Sequence, residues 1–586
     1  MNSCLEKAQG IFLKTLEGEE TLREEWNRLV LEMEVPQVFF TYEWALALER
    51  SFQSSTQPLI FILRQGQELT GVAALACRPS DAEEAFFLGA STADYCDIVS
   101  APRNRSLVVM ELLRALRCSQ VRKISLTCIP SDSATIEALS RARSCGYWSY
   151  SRAAYLCSRI VFKRESHGLP PKGAMTSRSK GKLKRLSKIG PAKLIHLRAR
   201  DEAFAALDSI VKAQVSRFLA TLRASPLLLQ ERRRFLGELM NLLSQQNWLD
   251  VSVLKLGERE IAWNLGFRFE GISFWYLPTY DISMDSLSPG ACLLELMTEE
   301  GWTEQSLKEI DLGLGDEAYK ARIANDSRAT RFFVLSSGMV AHAKILGREA
   351  LTRLAKASRS FEKFVRSLSR HVNWARGAIQ RHGVSKATGM FWMKALAKVF
   401  WRDEIVFFEW PGGETHERQD EGVLKKMDWE ILAQSALHNC EDTATIEYLK
   451  RSAHRLKNND DKRFQGYVLT SETGIALHYC WIADFSGFEL EEIQHKLPTV
   501  SNAKMIFDCW TPGALRGKHY YGTALESVAQ ELYKRGEAGW IFSSKQNGAS
   551  LNALKRSSFV PRYSIVRRKL FFRMPAEKSP EIAAEN

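Results

Sequence analysis

The sequence predicts a mixed α/β (α+β) protein of several domains, and three observations carry that prediction. A chain of 586 residues and 66.6 kDa exceeds what one hydrophobic core supports. Its composition, 45% hydrophobic, 10% aromatic and 25% charged, is that of a folded protein, so most of it must pack. Along the chain, helical apolar spacings alternate with short apolar runs bounded by Gly, Pro, Asn and Asp, the pattern of interleaved helices and strands.

In the first domain, 1–165, a helical pattern over 24–31 is followed by Phe39-Phe40-Thr41-Tyr42-Glu43-Trp44, which opens a helix to about 52. Apolar runs at 58–64 and 69–77, joined by Gln65-Gly66-Gln67-Glu68, predict a hairpin. The turn-rich stretch 91–97 leads to a helix over 107–116, a strand over 123–128, a helix over 133–142 and an apolar stretch at 155–162.

The second domain, 166–340, opens on a basic segment at 178–188 and continues with helices over 201–218 and 229–245 and strands over 251–256, 260–269 and 271–280. Ser288-Pro289-Gly290 predicts a helix start, with Ser288 as cap and Pro289 in the first turn. A strand at 308–312 and the loop Gly313-Leu314-Gly315-Asp316 follow. Residues 341–384 read as a basic amphipathic helical linker.

The third domain, 385–574, holds a strand at 404–409, helices over 429–437 and 445–456, a hairpin of 466–469 with 474–481, and a strand over 503–510. A basic glycine-bearing loop, a helix over 523–534, a strand over 539–543, a short helix over 547–557 and closing strands complete it. Residues 575–586 read as a disordered tail.

Charge and cysteines narrow the function classes. The net charge of +13 is local, since 161–200 hold twelve Lys/Arg against Glu165 alone and 341–382 hold ten against Glu349 and Glu362. Such strips suit CoA phosphates, RNA or an anionic membrane face, or a solvated surface. The face of 341–382 that carries Leu, Phe and Val could meet a bilayer peripherally or pack on a neighbouring domain. Eleven scattered cysteines without a C-x-x-C read as reduced thiols, and no His/Cys cluster predicts a metal. No apolar run is long enough to span a bilayer and the N-terminus lacks a secretory pattern, so the chain reads as cytoplasmic.

Two candidate sites emerge. After the strand 503–510, the run from Thr511 through Arg516-Gly517-Lys518 to Gly522-Thr523 places a basic loop before a helix N-terminus, an arrangement that binds pyrophosphate. Asn547-x-x-Ser550 follows the next strand. Together these resemble the acyl-CoA core of the GNAT acetyltransferases over about 400–572. The resemblance implies that Thr511, Arg516, Gly517, Lys518, Gly522, Thr523, Asn547 and Ser550 contact an acyl-CoA such as acetyl-CoA. His519 and Tyr521 stand where that family has glycines, and Leu554 where many members have a tyrosine. Amine acylation needs a polarised thioester carbonyl and a base, for which Asp508 and His478 are candidates, each also explicable as a structural residue.

The second site is the run Tyr280-Asp281, Ser288-Pro289-Gly290, Asp311-Leu312-Gly313-Leu314-Gly315 and Tyr319-Lys320. It resembles the GNAT-like acyltransferases named for CelD, also called BioF-like acetyltransferases. Phe40, Glu43-Trp44, Leu88-Gly89 and Asp94-Tyr95-Cys96-Asp97 stand at recurring features of that family, so the resemblance spans about 10–345. It implies two fused GNAT-like halves as in Fem-type peptidyltransferases, a third at the C-terminus, and Asp281, Asp311, Tyr319 and Lys320 as site residues. An acid, a phenol and an ammonium around one groove could orient a nucleophile or hold an oxyanion; an Asp311–Lys320 ion pair with Tyr319 in the core would serve only the loop. The leading expectation is an enzyme transferring an acyl group from a CoA thioester to an amine or hydroxyl of a cell-envelope or polysaccharide precursor. Aminoacyl-tRNA-dependent transfer and a catalytically degenerate scaffold are the alternatives.

Overall fold

A computed structural model describes residues 8–163, 177–315, 317–357, 400–412, 422–459, 463–490, 495–498, 500–570, 572–573 and 577–578. The linker beyond residue 357 and almost all of the predicted tail lie outside the described residues. The chain is mixed α/β, as predicted, and divides into two compact units: Met1–Gln214 with Leu229–Leu354, and Val215–Leu228 with Ala355–Asn586.

The first unit is built on a 13-stranded sheet. Its strands are β1 Ala8–Leu13, β2 Gln57–Gln65, β3 Glu68–Arg78, β4 Asp81–Phe87, β5 Lys123–Pro130, β6 Trp148–Val161, β7 Ala192–Leu197, β8 Leu249–Leu256, β9 Arg259–Phe269, β10 Ile272–Phe274, β11 Leu277–Tyr280, β12 Glu309–Leu314 and β13 Asp326–Ser336. Their order is β1-β2-β3-β4-β5-β13-β6-β12-β10-β9-β8-β7, with β11 paired to β9.

Two halves are legible in that order, and they exchange strands. β6 closes the first half in sequence yet pairs with β12; β13 closes the second yet pairs with β5. The two exchanged strands also pair with each other from Trp148↔Ser336 to Asp326↔Arg159. Arg159 ties three strands together, its guanidinium 2.9 Å from Glu309 on β12 and 2.7 Å from Asp326 on β13.

Each half contains one parallel pair, β4 with β5 and β10 with β12, which requires a crossover. The helices Pro102–Cys118 and Pro289–Thr303 supply them. The first buries Val108, Val109, Leu112, Leu113 and Leu116, a stripe at helical spacing, against the sheet. It comes so close that a Cβ on Gly71 of β3 would lie 2.4 Å from Val108 Cγ2.

The second unit contains β14 Phe400–Glu409, β15 Val423–Lys426, β16 Phe464–Thr470, β17 Ala476–Asp484, β18 Glu489–Leu490, β19 His495–Lys496, β20 Ala503–Trp510, β21 Ala538–Ser544 and β22 Val560–Leu570. Its sheet runs β15-β16-β17-β20-β21-β14-β22, with β20 and β21 parallel; Phe572–Arg573 and Glu577–Lys578 also pair with β22, so the described part of the segment read as a disordered tail is a strand. This repeats the path β7-β8-β9-β10-β12-β6-β13 strand for strand, including the insertion of the strand that comes first in the chain, β6 or β14, at the sixth place. Two helices before the hairpin, Trp429–His438 and Thr443–Lys457, match Arg200–Ala220 and Gln230–Gln245 of the first path. Val215, Leu219 and Leu228 pack in the core of the second unit with Leu432, Leu449 and Trp481.

Several expected elements change form. The strand predicted over 271–280 is two: β10 lies between β9 and β12, its parallel ladder closing with the Trp275 N–H to the Asp311 carbonyl at 2.8 Å, whereas β11 pairs with β9 alone. Ser288 precedes its helix but does not cap it: its left-handed backbone, φ 54°, leaves the side chain without a cap bond. The apolar stretch at 155–162 is the end of a strand, β6, that begins at Trp148 and carries Tyr155 and Leu156 half-exposed.

Gly71→Ala should lower stability by about 1–3 kcal/mol, because Val108 is β-branched and stiff where the new methyl would fall. Adding Val108→Ala to it should recover part of the loss in a denaturant melt, a coupling that independent sites would not show.

Candidate active site

The loop between β4 and the helix Pro102–Cys118 is held by a buried polar knot. Arg105, fully buried, donates to Ser100, Thr135 and Ser133, and its guanidinium is 3.5 Å from Asp97. Asp97 also accepts from the Ile98 N–H at 2.8 Å. With its ends so fixed, the loop presents Asp94 and Tyr95 to the second half of the first unit.

There they meet the end of β12. The Tyr95 hydroxyl donates to Asp311 Oδ2 at 2.8 Å, and the Gly313 N–H donates to Asp311 Oδ1 at 2.8 Å. Asp94 Oδ1 accepts from the Leu314 N–H at 3.4 Å, a longer bond. Gly313 sits at φ 68°, and a Cβ there would be 2.5 Å from Asp94 Oδ2, so only glycine fits between the carboxylates' loops. Burial raises the Asp311 carboxyl despite the bonds from Gly313 and Tyr95. Asp94 is pushed up to about 7 by burial first and then by the neighbouring Asp311. Burial and the Asp311 charge also hold the Tyr95 phenol well above its usual range.

The other sequence candidates of this region have local partners. Lys320 Nζ donates to the Leu314 carbonyl at 2.6 Å and lies 3.0 Å from Glu317, so it braces the glycine loop rather than pairing with Asp311. The Tyr319 hydroxyl accepts from Trp275 Nε1 at 3.2 Å, joining the loop after β12 to the break between β10 and β11. Asp281 caps the 3-10 turn Ile282–Leu287 through the Ser283 N–H at 2.9 Å and pairs with Arg259.

Between these groups the sheet opens. The parallel pairing of β10 with β12 ends at Phe274↔Asp311; beyond it β11 follows β9 while the end of β12 follows β6. The helix Pro289–Thr303 follows β11 after one 3-10 turn; Ser288 makes no side-chain cap bond, Pro289 has no N–H, and the Ala291 and Cys292 N–H groups bond to the Ser288 carbonyl, so the first turn offers the Gly290 N–H to an anion. The basic helix Ser177–Ser187 packs its Leu183 and Leu186 on the same core and leaves Lys184, Arg185 and Lys188 exposed.

The second unit has the corresponding opening. β20 and β21 pair only from Ala503↔Ala538 to Ile506↔Ile541, and β20 then bulges at Asp508, φ 48°. His478 is fully buried, its Nδ1 2.8 Å from Thr511 Oγ1, while Nε2 has no hydrogen-bond partner among the described residues. Burial lowers this imidazole to about 3, which keeps it neutral at physiological pH. Asp508 accepts from Arg455 at 2.7 Å. Arg516 folds back, donating to the Thr511 carbonyl at 3.2 Å with its guanidinium 5.0 Å above the Trp510 ring. Gly517 turns the loop at φ 81°, Lys518 is exposed, and Gly522 and Thr523 bond back to the His519 carbonyl in the first helical turn. Asn547 caps the helix Gly548–Lys555 through the Ser550 N–H at 3.2 Å, and Ser550 Oγ lies 2.9 Å from the Tyr521 hydroxyl. Leu554 is buried core.

Asp94 and Tyr95 are the residues that sequence reasoning did not assign to the site. The signal was present in the Asp94-Tyr95-Cys96-Asp97 run, but its partner lies more than 200 residues away. Among the described residues no group of three His, Cys, Asp or Glu could hold a metal ion, and no helix is long and apolar enough to cross a membrane.

Residues 175–321 match the sequence family described as Acetyltransferase (GNAT) domain. The segment covers the basic helix, β7 to β12, the helix Pro289–Thr303 and Tyr319-Lys320. The chain thus carries a GNAT-type acetyltransferase domain in the second half of its first unit. A search of curated proteins found no match. Among solved structures, FemX is similar at 9% identity and TM-score 0.40, over 56% of this chain and 96% of that one. L-PGS from Bacillus licheniformis is similar at 11% identity and TM-score 0.36, over 56% and 96%. A tandem GNAT protein from the clavulanic acid biosynthesis pathway is similar at 12% identity and TM-score 0.35, over 57% and 99%. Likenesses this distant carry no substrate to this chain.

Asp94→Asn should act on stability in one pH direction. The native carboxyl keeps its proton up to about pH 7, whereas the unfolded one ionises in the ordinary range, so the native state loses stability as pH rises between the two. The variant should therefore melt higher than wild type at pH 8 and alike at pH 4, measured by thermal scans across that range.

Proposed function

We propose that the first unit is a CoA-dependent acyltransferase whose reacting centre is the diverging end of β11 and β12, with Asp94 as general base. The carrying observation is the meeting of Asp94 with the Asp311–Gly313 turn inside a segment pair that includes the GNAT-matching region. The acyl thioester would lie along the opening with its pyrophosphate toward Ser288 and the first turn of the helix Pro289–Thr303.

An amine or hydroxyl of the acceptor attacks the thioester carbonyl; the new C–N or C–O bond forms as the C–S bond breaks. The acceptor's proton passes to Asp94, which is poised near neutrality and accepts a long hydrogen bond from the Leu314 N–H that is readily surrendered. The CoA thiolate takes a proton from solvent as it leaves. Asp311, held by Tyr95 and Gly313, keeps Asp94 basic by its nearby charge and keeps the glycine loop in register. Tyr319 and Lys320 brace that loop, and Asp281 shapes the approach to the helix.

The acceptor class expected from the family resemblance is a cell-envelope or polysaccharide precursor. A second reading, transfer from aminoacyl-tRNA, draws support from the exposed cations of Ser177–Ser187, which suit a polyanion. An assay with radiolabelled acetyl-CoA, longer acyl-CoAs and charged tRNA, offered with amine and hydroxyl acceptors, separates the two: label transfer from the thioester is expected, and transfer from tRNA alone would replace this reading with the second.

With the donor found, kcat/KM should rise with pH to a plateau above about pH 7 as Asp94 ionises. Asp94→Asn should lower kcat roughly 10²–10⁴-fold and abolish that rise. A wild-type slope retained in the variant would assign the base elsewhere.

A further inference from the structure

Among the differences between the two repeated paths, one falls at the second residue of the helix that follows the diverging strand. Each helix begins after a residue in the left-handed region, Ser288 at φ 54° and His519 at φ 65°, so Pro289–Thr303 and Tyr520–Lys534 start at equivalent points. The second helical residue is Gly290 in one and Tyr521 in the other.

Tyr521 reaches across the opening. Its ring packs edge-to-face on His478 of β17, with centroids 5.4 Å apart and planes at 88°, and packs with the core that holds Ile506 and Ile541, the last paired residues of β20 and β21. Its hydroxyl meets Ser550 Oγ at 2.9 Å, on the helix after β21. One side chain therefore runs from the β20 side of the divergence to the β21 side, over the gap into which a ligand thioester would have to pass. At Gly290 no side chain enters; a Cβ there would meet only Tyr280, at 3.3 Å. The tie across the first unit's opening, Trp275 to Tyr319, comes from the loop after β12 and not from the helix that faces the ligand.

We infer that the second residue of this helix decides whether a repeat admits a CoA thioester, so that Gly290 leaves the first unit's groove open and Tyr521 fills that of the second. The inference takes only its ligand from the proposed function. Tyr521 stays in place because leaving would expose an aromatic ring to water and break its hydroxyl bond to Ser550. Arg516 and Asp508, already bonded within the second unit, are consistent with a groove that is filled by the protein itself.

Calorimetric titration of the full-length chain with CoA, read as the number of sites, tests this. One site is expected in the wild type, two in Tyr521→Gly, and none in Gly290→Tyr. Tyr521→Ala serves in place of Tyr521→Gly if the glycine unfolds the second unit, as judged by circular dichroism and melting. Two sites in the wild type overturn the inference, as does a folded Tyr521→Gly or Tyr521→Ala with no added site. No site in the wild type together with one in Tyr521→Gly would remove the proposed function of the first unit and overturn the inference for Gly290, while upholding it for Tyr521.

Discussion

The ladder between β6 and β13 is the constraint on which the first unit depends. Each strand is the natural last strand of one half and is hydrogen-bonded into the other, so neither half can complete its sheet alone. Arg159 locks the arrangement by binding acids on both flanking strands. Because the exchange fixes the end of β12 against the loop after β4, it also sets the approach of Asp94 and Tyr95 to Asp311. The electrostatics of the site follow from this: two carboxyls from distant parts of the chain are brought together under burial, and one of them can be accommodated only by holding its proton toward neutrality.

Anchoring on either side of that meeting point is unequal in kind but similar in effect. Asp97 and Arg105 pin the loop of the first half from within. In the second half His196 is held between Asp250 and Glu300, each at 2.8 Å, and Arg268 binds Asp250 and Glu304 at 2.6 Å. Burial opposes a charge on His196, but the two carboxylates raise it above the ordinary range, so the far end of the helix Pro289–Thr303 is clamped to β7, β8 and β9. The near end is left without a cap. A helix fixed at its C-terminal turns and without a side-chain cap at its N-terminal one is suited to orienting the Gly290 N–H without occupying it.

Much of the fold was legible because its elements are local. The hairpin around Gln65-Gly66-Gln67-Glu68, the crossover helices and the strand-loop-helix at Trp510 follow from periodicity and turn residues. The strand exchange was not, since β6 and β13 lie far apart in the chain and no residue pattern names a distant partner. The break after Phe274 was invisible for a related reason: it falls where the pairing with β12, a strand further along the chain, ends and only β9 continues alongside. Of the site, the Asp311 loop could be read from its glycines, whereas the roles of Lys320 and Asp281 turned on which of several nearby carboxylates, carbonyls and amides each would reach. Asp94 became prominent only through the space that Gly313 leaves for it.

The position of β6 in the chain has a consequence for synthesis. When its last residue, Val161, has been made, both strands that will flank it are still unwritten, and β13 is not complete until Ser336. At ribosomal rates of about 5–20 residues per second, this leaves a long strand with two unpaired edges for on the order of ten to thirty seconds. Tyr155 and Leu156 remain half-exposed even in the finished protein, so the nascent edge is both unpaired and apolar. The first unit therefore cannot close its sheet until its last strand is made, and an apolar edge waits uncovered through that interval.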